Sequence, residues 1–228
     1  MMSYRSMQSN RAVVLLACIA SLIASSVFAD GPPRHKPRRV EAGTEYSHTA
    51  LDAYGEGYAF IERATRLDQD AMAAQSERER QTAIEGSKQA YEDALRAFEE
   101  AVRIDPRMYE AHTYIGYANR KLGRHGRALE AYATALKLKP DYARAIEYQG
   151  EAYLGLDRFA DAKFNYQRLY ALDSEQAAKL LTAMRTWLEE RNADARSVPP
   201  DQIAAATAWL NDQPHMPAEK IATEGTPW

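Results

Sequence analysis

The chain has 228 residues, with 29 Lys plus Arg against 32 Asp plus Glu, a formal net charge of −3, and 46% hydrophobic residues. A chain of this length can bury a core of its own, and its mildly acidic balance excludes nucleic-acid binding through bulk charge. The single cysteine, Cys18, excludes a disulfide framework, so stability has to come from packing.

At the N-terminus, Arg5 and Arg11 precede the apolar run AVVLLACIASLIASSVF, which closes on Val27-Phe28-Ala29 before Asp30. Basic start, apolar core and small residues before a cut are the order of a secretory signal peptide. Residues 1–29 are therefore expected to be removed after Ala29, leaving an exported, periplasmic chain. Two other readings stay open. Leu15-Leu16-Ala17-Cys18 resembles a lipobox, which would lipidate Cys18, and about 18 apolar residues approach the lower limit for an uncleaved membrane anchor. Residues 30–45 follow as a linker containing Pro32, Pro33 and Pro37 with Arg34, Lys36, Arg38 and Arg39. Prolines keep such a stretch extended, as a soluble spacer or a contact for anionic lipid or cell-wall polymer.

From residue 46 to 176 the chain is self-similar at a spacing of 34 residues. Ala94, Ala128 and Ala162 fall in register, followed by Phe98, Tyr132 and Tyr166, then Ile104, Leu138 and Leu172, then Pro106 and Pro140. Two antiparallel helices per unit explain the pattern. The alanine lets the second helix lie close to the first, the aromatic fills the gap one turn on, and the proline stops the helix. The second unit, Tyr109 to Tyr142, is the best copy, with Ile115-Gly116, Ala118, Leu122-Gly123, Ala128, Tyr132, Ala135, Leu138 and Pro140. The third, Ala143 to Gln176, carries Gln149-Gly150, Tyr153, Leu156, Ala162, Tyr166 and Leu172.

The first unit is irregular. The highly charged stretch QSERERQTAIEG stands where its first helix would fall, and it has almost no apolar face. Leu51, Tyr54-Gly55, Tyr58 and Ile61 supply a better first helix upstream, and the partner helix runs through Tyr91, Ala94, Phe98 and Ala101. An insertion of about 27 residues thus splits the unit. Residues 65–90, rich in Ala, Gln, Glu and Arg, are expected to lengthen the hairpin into a protruding arm.

These units resemble the tetratricopeptide repeat (TPR) family, whose signature is a large residue, a Leu-Gly-like pair, a Tyr, Ala-x-x-x-Phe and a closing Pro. The resemblance implies an all-α chain, a short TPR superhelix of about three helix-turn-helix repeats plus a capping helix. It also implies work as a binder of other proteins.

Leu180, Leu181, Met184, Trp187 and Leu188 form one apolar stripe at helical spacing, giving a capping helix over 177–191. Within 192–228, a shorter helix follows Pro199-Pro200 and holds Ile203, Ala206, Trp209 and Leu210; the tail from Asn211 onward has no periodicity and reads as disordered.

No chemistry stands out. The five histidines never pair at helical ligand spacing, so neither a metal nor another cofactor is expected, and His112 and His125 read as packing residues. Phosphate loops, nucleophile elbows and His-Glu-x-x-His helices are missing, and the chain is not expected to be an enzyme. What remains is the inner face of the superhelix, which in TPR proteins is lined mostly by the first helix of each unit. Helical spacing turns Thr113, Tyr117, Arg120 and Lys121, together with Arg144, Glu147 and Glu151, away from their own hairpin partners, with Asp52 and Glu56 joining from the first unit. Such a groove suits an extended peptide or a helix of a partner protein, with no nucleic acid involved and membrane contact only through the N-terminus or the linker. The alternative is a tethered spacer subunit or lipoprotein of an envelope complex. The subgroup of the family that clamps a C-terminal carboxylate uses a Lys and Asn pair on these faces. Thr113 and Tyr117 stand at the matching places, which speaks against that mode.

Overall fold

The computed structural model describes residues 46–193 and 198–213. The expected signal peptide, the basic linker and the tail from residue 214 lie outside them. The described chain is all α-helical: α1 His48–Ala73, α2 Glu77–Ile104, α3 Tyr109–Lys121, α4 His125–Leu138, α5 Ala143–Leu154, α6 Phe159–Leu172, α7 Ser174–Ala193 and α8 Pro200–Asn211. Three antiparallel hairpins, α1–α2, α3–α4 and α5–α6, stack in chain order, and α7 closes the stack against both α5 and α6.

The register read from the sequence is the packing register. Ala94, Ala128 and Ala162 have no exposed surface, nor do Phe98 and Tyr132 one turn on, because each second helix lies against its own first helix along this line. Leu138 and Leu172 share the register but are exposed, since they lie past the last turn that the next unit covers. The turns repeat too. Gly123 between α3 and α4 has φ +74° and Asp157, at the same place between α5 and α6, has φ 58°. Aspartate tolerates that left-handed conformation better than most side chains. Here its carboxylate also accepts from Trp187 Nε1 at 3.0 Å and Arg191 Nε at 2.6 Å, tying the turn to the capping helix.

The first hairpin is the long one. α1 and α2 run 26 and 28 residues, and Ala71, Ala83, Ser87 and Ala90 are buried as the helices continue past the other units' turns. Its turn is fixed by a capping box, in which Ser76 Oγ accepts from the Glu79 amide and the Glu79 carboxylate accepts from the Ser76 amide. That Ser-x-x-Glu signal stood in the charged stretch and marks a helix start there. The close-approach glycine of α1 is Gly57, not Gly55. A Cβ on Gly57 would sit 2.8 Å from the Phe98 ring, whereas Gly55 faces open space.

Two clusters make the core. One joins α1 to α4 through Tyr54, Tyr58, Phe98, Tyr114, Tyr117 and Tyr132 and reaches Tyr148 and Ala152 of α5. The other joins α5 to α8 through Ile146, Leu169, Leu180, Met184, Trp187, Ala206 and Leu210. Gly150 belongs to the seam with the capping helix, because a Cβ there would meet Leu180 at 2.5 Å.

Candidate functional site

The first helices α1, α3 and α5 meet along one face, and tyrosines fill it. Tyr54 and Tyr58 lie edge-on to Tyr114 at ring separations of 5.8 and 5.7 Å, Tyr114 stacks on Phe98 at 5.3 Å, and Tyr117 packs against Tyr148 at 5.1 Å. Burial pushes the Tyr58 and Tyr114 phenols up to about 12, so both stay neutral donors at physiological pH.

Charges lace this aromatic row. Adjacent residues at the end of α3 reach in opposite directions, Lys121 Nζ to Asp68 of α1 at 3.3 Å and Arg120 to Glu151 of α5 at 2.5 Å. The Arg120 guanidinium lies over the Tyr117 and Tyr148 rings, 5.2 and 5.4 Å from their centroids, and the Lys121 ammonium is 5.9 Å from that of Tyr91. Asp68 also accepts from the Tyr91 hydroxyl at 2.7 Å; burial first and this carboxylate second hold that phenol well above its ordinary range. Arg144 donates to the Tyr114 hydroxyl at 3.1 Å. Side-chain exposures of 10% for both Arg120 and Glu151 and 2% for Lys121 place these pairs where water screens them weakly, so their Coulomb attraction counts.

The seven residues expected to line the groove thus fall into two groups. Arg120, Arg144 and Glu151 are charged rungs of the face, and Lys121 reaches beneath it to Asp68 with its side chain buried. Thr113, Tyr117 and Glu147 are buried, which corrects the expectation that they project away from packed surface. Thr113 donates to the Tyr109 carbonyl of its own helix at 2.8 Å, and Tyr117 is part of the core cluster. The physical reason is that α3 packs against α2 and α5 as well as its own partner α4, so little of its circumference is left over. Asp52 and Glu56 are exposed on α1.

Sequence reasoning missed Asp68, Tyr91 and Tyr148. The first lies inside the supposed insert, Tyr91 reads only as a position of the first unit's partner helix, and Tyr148 is not among the positions that the repeat pattern singles out. His125 packs as expected, its ring against Gly155, and burial followed by the Arg120 charge holds its imidazole below the usual range. Among the described residues no group of three His, Cys, Asp or Glu side chains converges as metal ligands do, and no helix is long and apolar enough to cross a membrane.

Residues 87–143 match the tetratricopeptide repeat family, a span that takes in α3, α4 and the C-terminal part of α2 from residue 87. Among solved structures, a crystal structure of MamA is 16% identical, with 73% of this chain and 95% of that chain covered and a TM-score of 0.41. Repeats of this family serve as scaffolds that bind other proteins, and the helical hairpins here have that architecture.

Proposed function

We propose that this chain is an exported scaffold that holds a partner protein, as an extended peptide or a helix, against the face built by α1, α3 and α5, in the service of cell-envelope assembly. The observation that carries the reading is the α3 pair of Arg120 and Lys121 with their acids, set among tyrosines in a repeat that the family match spans. The buried tyrosines hold the charged groups in fixed places, and weakly screened ion pairs give such a face directional specificity. Export rests on the basic start, apolar run and small residues of positions 1–29.

The test is crosslinking capture from the native envelope with a charge-exchange cycle. Arg120→Glu alone is expected to lower both stability and capture, since it leaves Glu151 facing a second acid. Adding Glu151→Arg restores the pair in reverse and should recover the melting temperature. Capture that stays lost in this folded double variant means the partner reads the charges themselves. Capture that returns in step with stability would reduce the pair to scaffolding and move the interaction elsewhere.

A further inference from the structure

On the opposite end of the molecule a cleft of about 280 Å³ opens between α6 and α8, lined by Tyr166, Gln167, Tyr170, Trp209 and Gln213. Its floor is a row of rings. Trp209 and Tyr166 meet edge to face at 5.4 Å, and Tyr166 and Tyr170 follow at 6.0 Å. Tyr170 keeps 67% of its surface exposed at the cleft, so its ring is open to an occupant. The Gln167 and Gln213 amides on the cleft wall bring donors and acceptors to an otherwise aromatic floor. Arg185 donates to the carbonyls of Leu210 and Gln213, fixing the point at which the chain leaves α8.

We propose that this cleft is a reader of proline-containing extended segments and that its resident occupant is the chain's own segment 214–217, Pro-His-Met-Pro. Gln213 is itself a wall of the cleft, so the segment starts where it has to bind. In a polyproline II conformation, with three residues per turn and about 3.1 Å rise, Pro214 and Pro217 lie on one side roughly 9 Å apart. That spacing lies within the reach of the Trp209–Tyr166–Tyr170 row, whose successive ring centres are 5.4 and 6.0 Å apart, and aromatic-lined grooves take proline segments. Such a strand leaves its carbonyls unpaired, and the two glutamines can donate to them.

Charge decides against the other proline-rich stretch of the chain. Lys163 lies 5.2 Å from the Trp209 ring centroid and Arg185 holds the cleft's end, so the basic run Arg34 to Arg39 would add like charge. The segment after 213 brings none before Lys220, and Asp212 and Glu219 flank it.

The experiment measures nitration of Tyr170 by tetranitromethane, read by mass spectrometry against Tyr153 as an internal control. It compares the full chain, the Pro214→Ala/Pro217→Ala double variant and a chain ending at Gln213. Loss of the segment should speed Tyr170 nitration roughly three- to tenfold with Tyr153 unchanged, as expected for uncovering a site occupied most of the time. A synthetic peptide of residues 212–219 should then slow nitration of the shortened chain and shift its tryptophan fluorescence. In the other direction, Tyr170→Ala in the full chain should speed tryptic cleavage after Lys220 without moving the melting temperature. Equal nitration in all three chains, or unchanged cleavage in the Tyr170 variant, overturns the proposal. Protection that grows with protein concentration also overturns it, in favour of the tail of a second copy.

Discussion

Gly116→Ala tests the packing of the best-formed repeat with one methyl group. The added Cβ would stand 2.4, 2.6 and 2.8 Å from Cε1, Cδ1 and Cζ of Tyr132, where carbon contacts want about 3.5–4 Å. The ring has to retreat by about 1 Å. It cannot do so cheaply, because Tyr132 is fully buried, with Tyr148 6.3 Å away across the ring centres. Overpacking of this kind costs about 1–3 kcal/mol, and a fully buried ring puts it in the upper part of that range, about 2–3 kcal/mol, offset by roughly 1 kcal/mol from replacing a glycine in a helix interior. A net loss of about 1–2 kcal/mol lowers the melting temperature by about 2–8 °C in a domain of this size. Gly55→Ala is the matched control, since a Cβ there meets nothing within 4 Å. It should gain about 0.5–1 kcal/mol from helix propensity alone. Urea denaturation followed by circular dichroism gives both changes on one scale. Opposite signs are expected, and a Gly116→Ala protein as stable as the parent would refute the argument.

Four more outcomes follow from the same structure. Asp157→Ala should cost about 2 kcal/mol or more, because it strains a left-handed position and removes the acceptor of Trp187 and Arg191; Asp157→Gly relieves the strain alone, so chemical denaturation should place it between alanine and wild type. Asp68→Ala, which removes the carboxylate 3.3 Å from the buried Lys121 ammonium, should cost about 3 kcal/mol, whereas replacing residues 72–82 by a short turn should leave a cooperative thermal melt. For His125, burial and then Arg120 depress the folded pKa below the ordinary 6.5, so the unfolded chain binds that proton more readily. The stability due to neutral His125 is present above about pH 6.5 and lost as pH falls through the folded value, and His125→Gln should flatten the measured decline in that window.

Much of the fold was legible because the repeat imposes one register three times over. Ala128, Tyr132 and Ala135 could be placed in the core from spacing alone, and the stripe from Leu180 to Trp187 announced the capping helix. The rotation of α1 was not legible, since Gly55 and Gly57 are two residues, or about 200°, apart on a helix and both suit a small-residue position. The site was legible only as a face. A helical wheel separates the side turned to one partner from the rest, but α3 has neighbours on several sides. That places Tyr117 inside while its neighbours Arg120 and Lys121 carry the ion pairs. Nor could spacing pair Lys121 with Asp68, because the partner sits 53 positions earlier, on a helix whose length broke the repeat.

The cross-links between neighbouring units bear on how the stack comes apart. In a linear array, end units can fray independently whenever the coupling at their interface is weak. Here, losing the first hairpin strips Asp68 from Lys121, losing the third strips Glu151 from Arg120, and losing the capping helix strips Trp187 and Arg191 from Asp157. Each departure takes an opposite charge away from a neighbour in a partly dehydrated place, a penalty that falls on the unit that stays folded. Fraying is thereby coupled to the middle of the chain, and the three hairpins and their cap are expected to unfold in a single transition, with amide exchange slowed alike at both ends and at the centre.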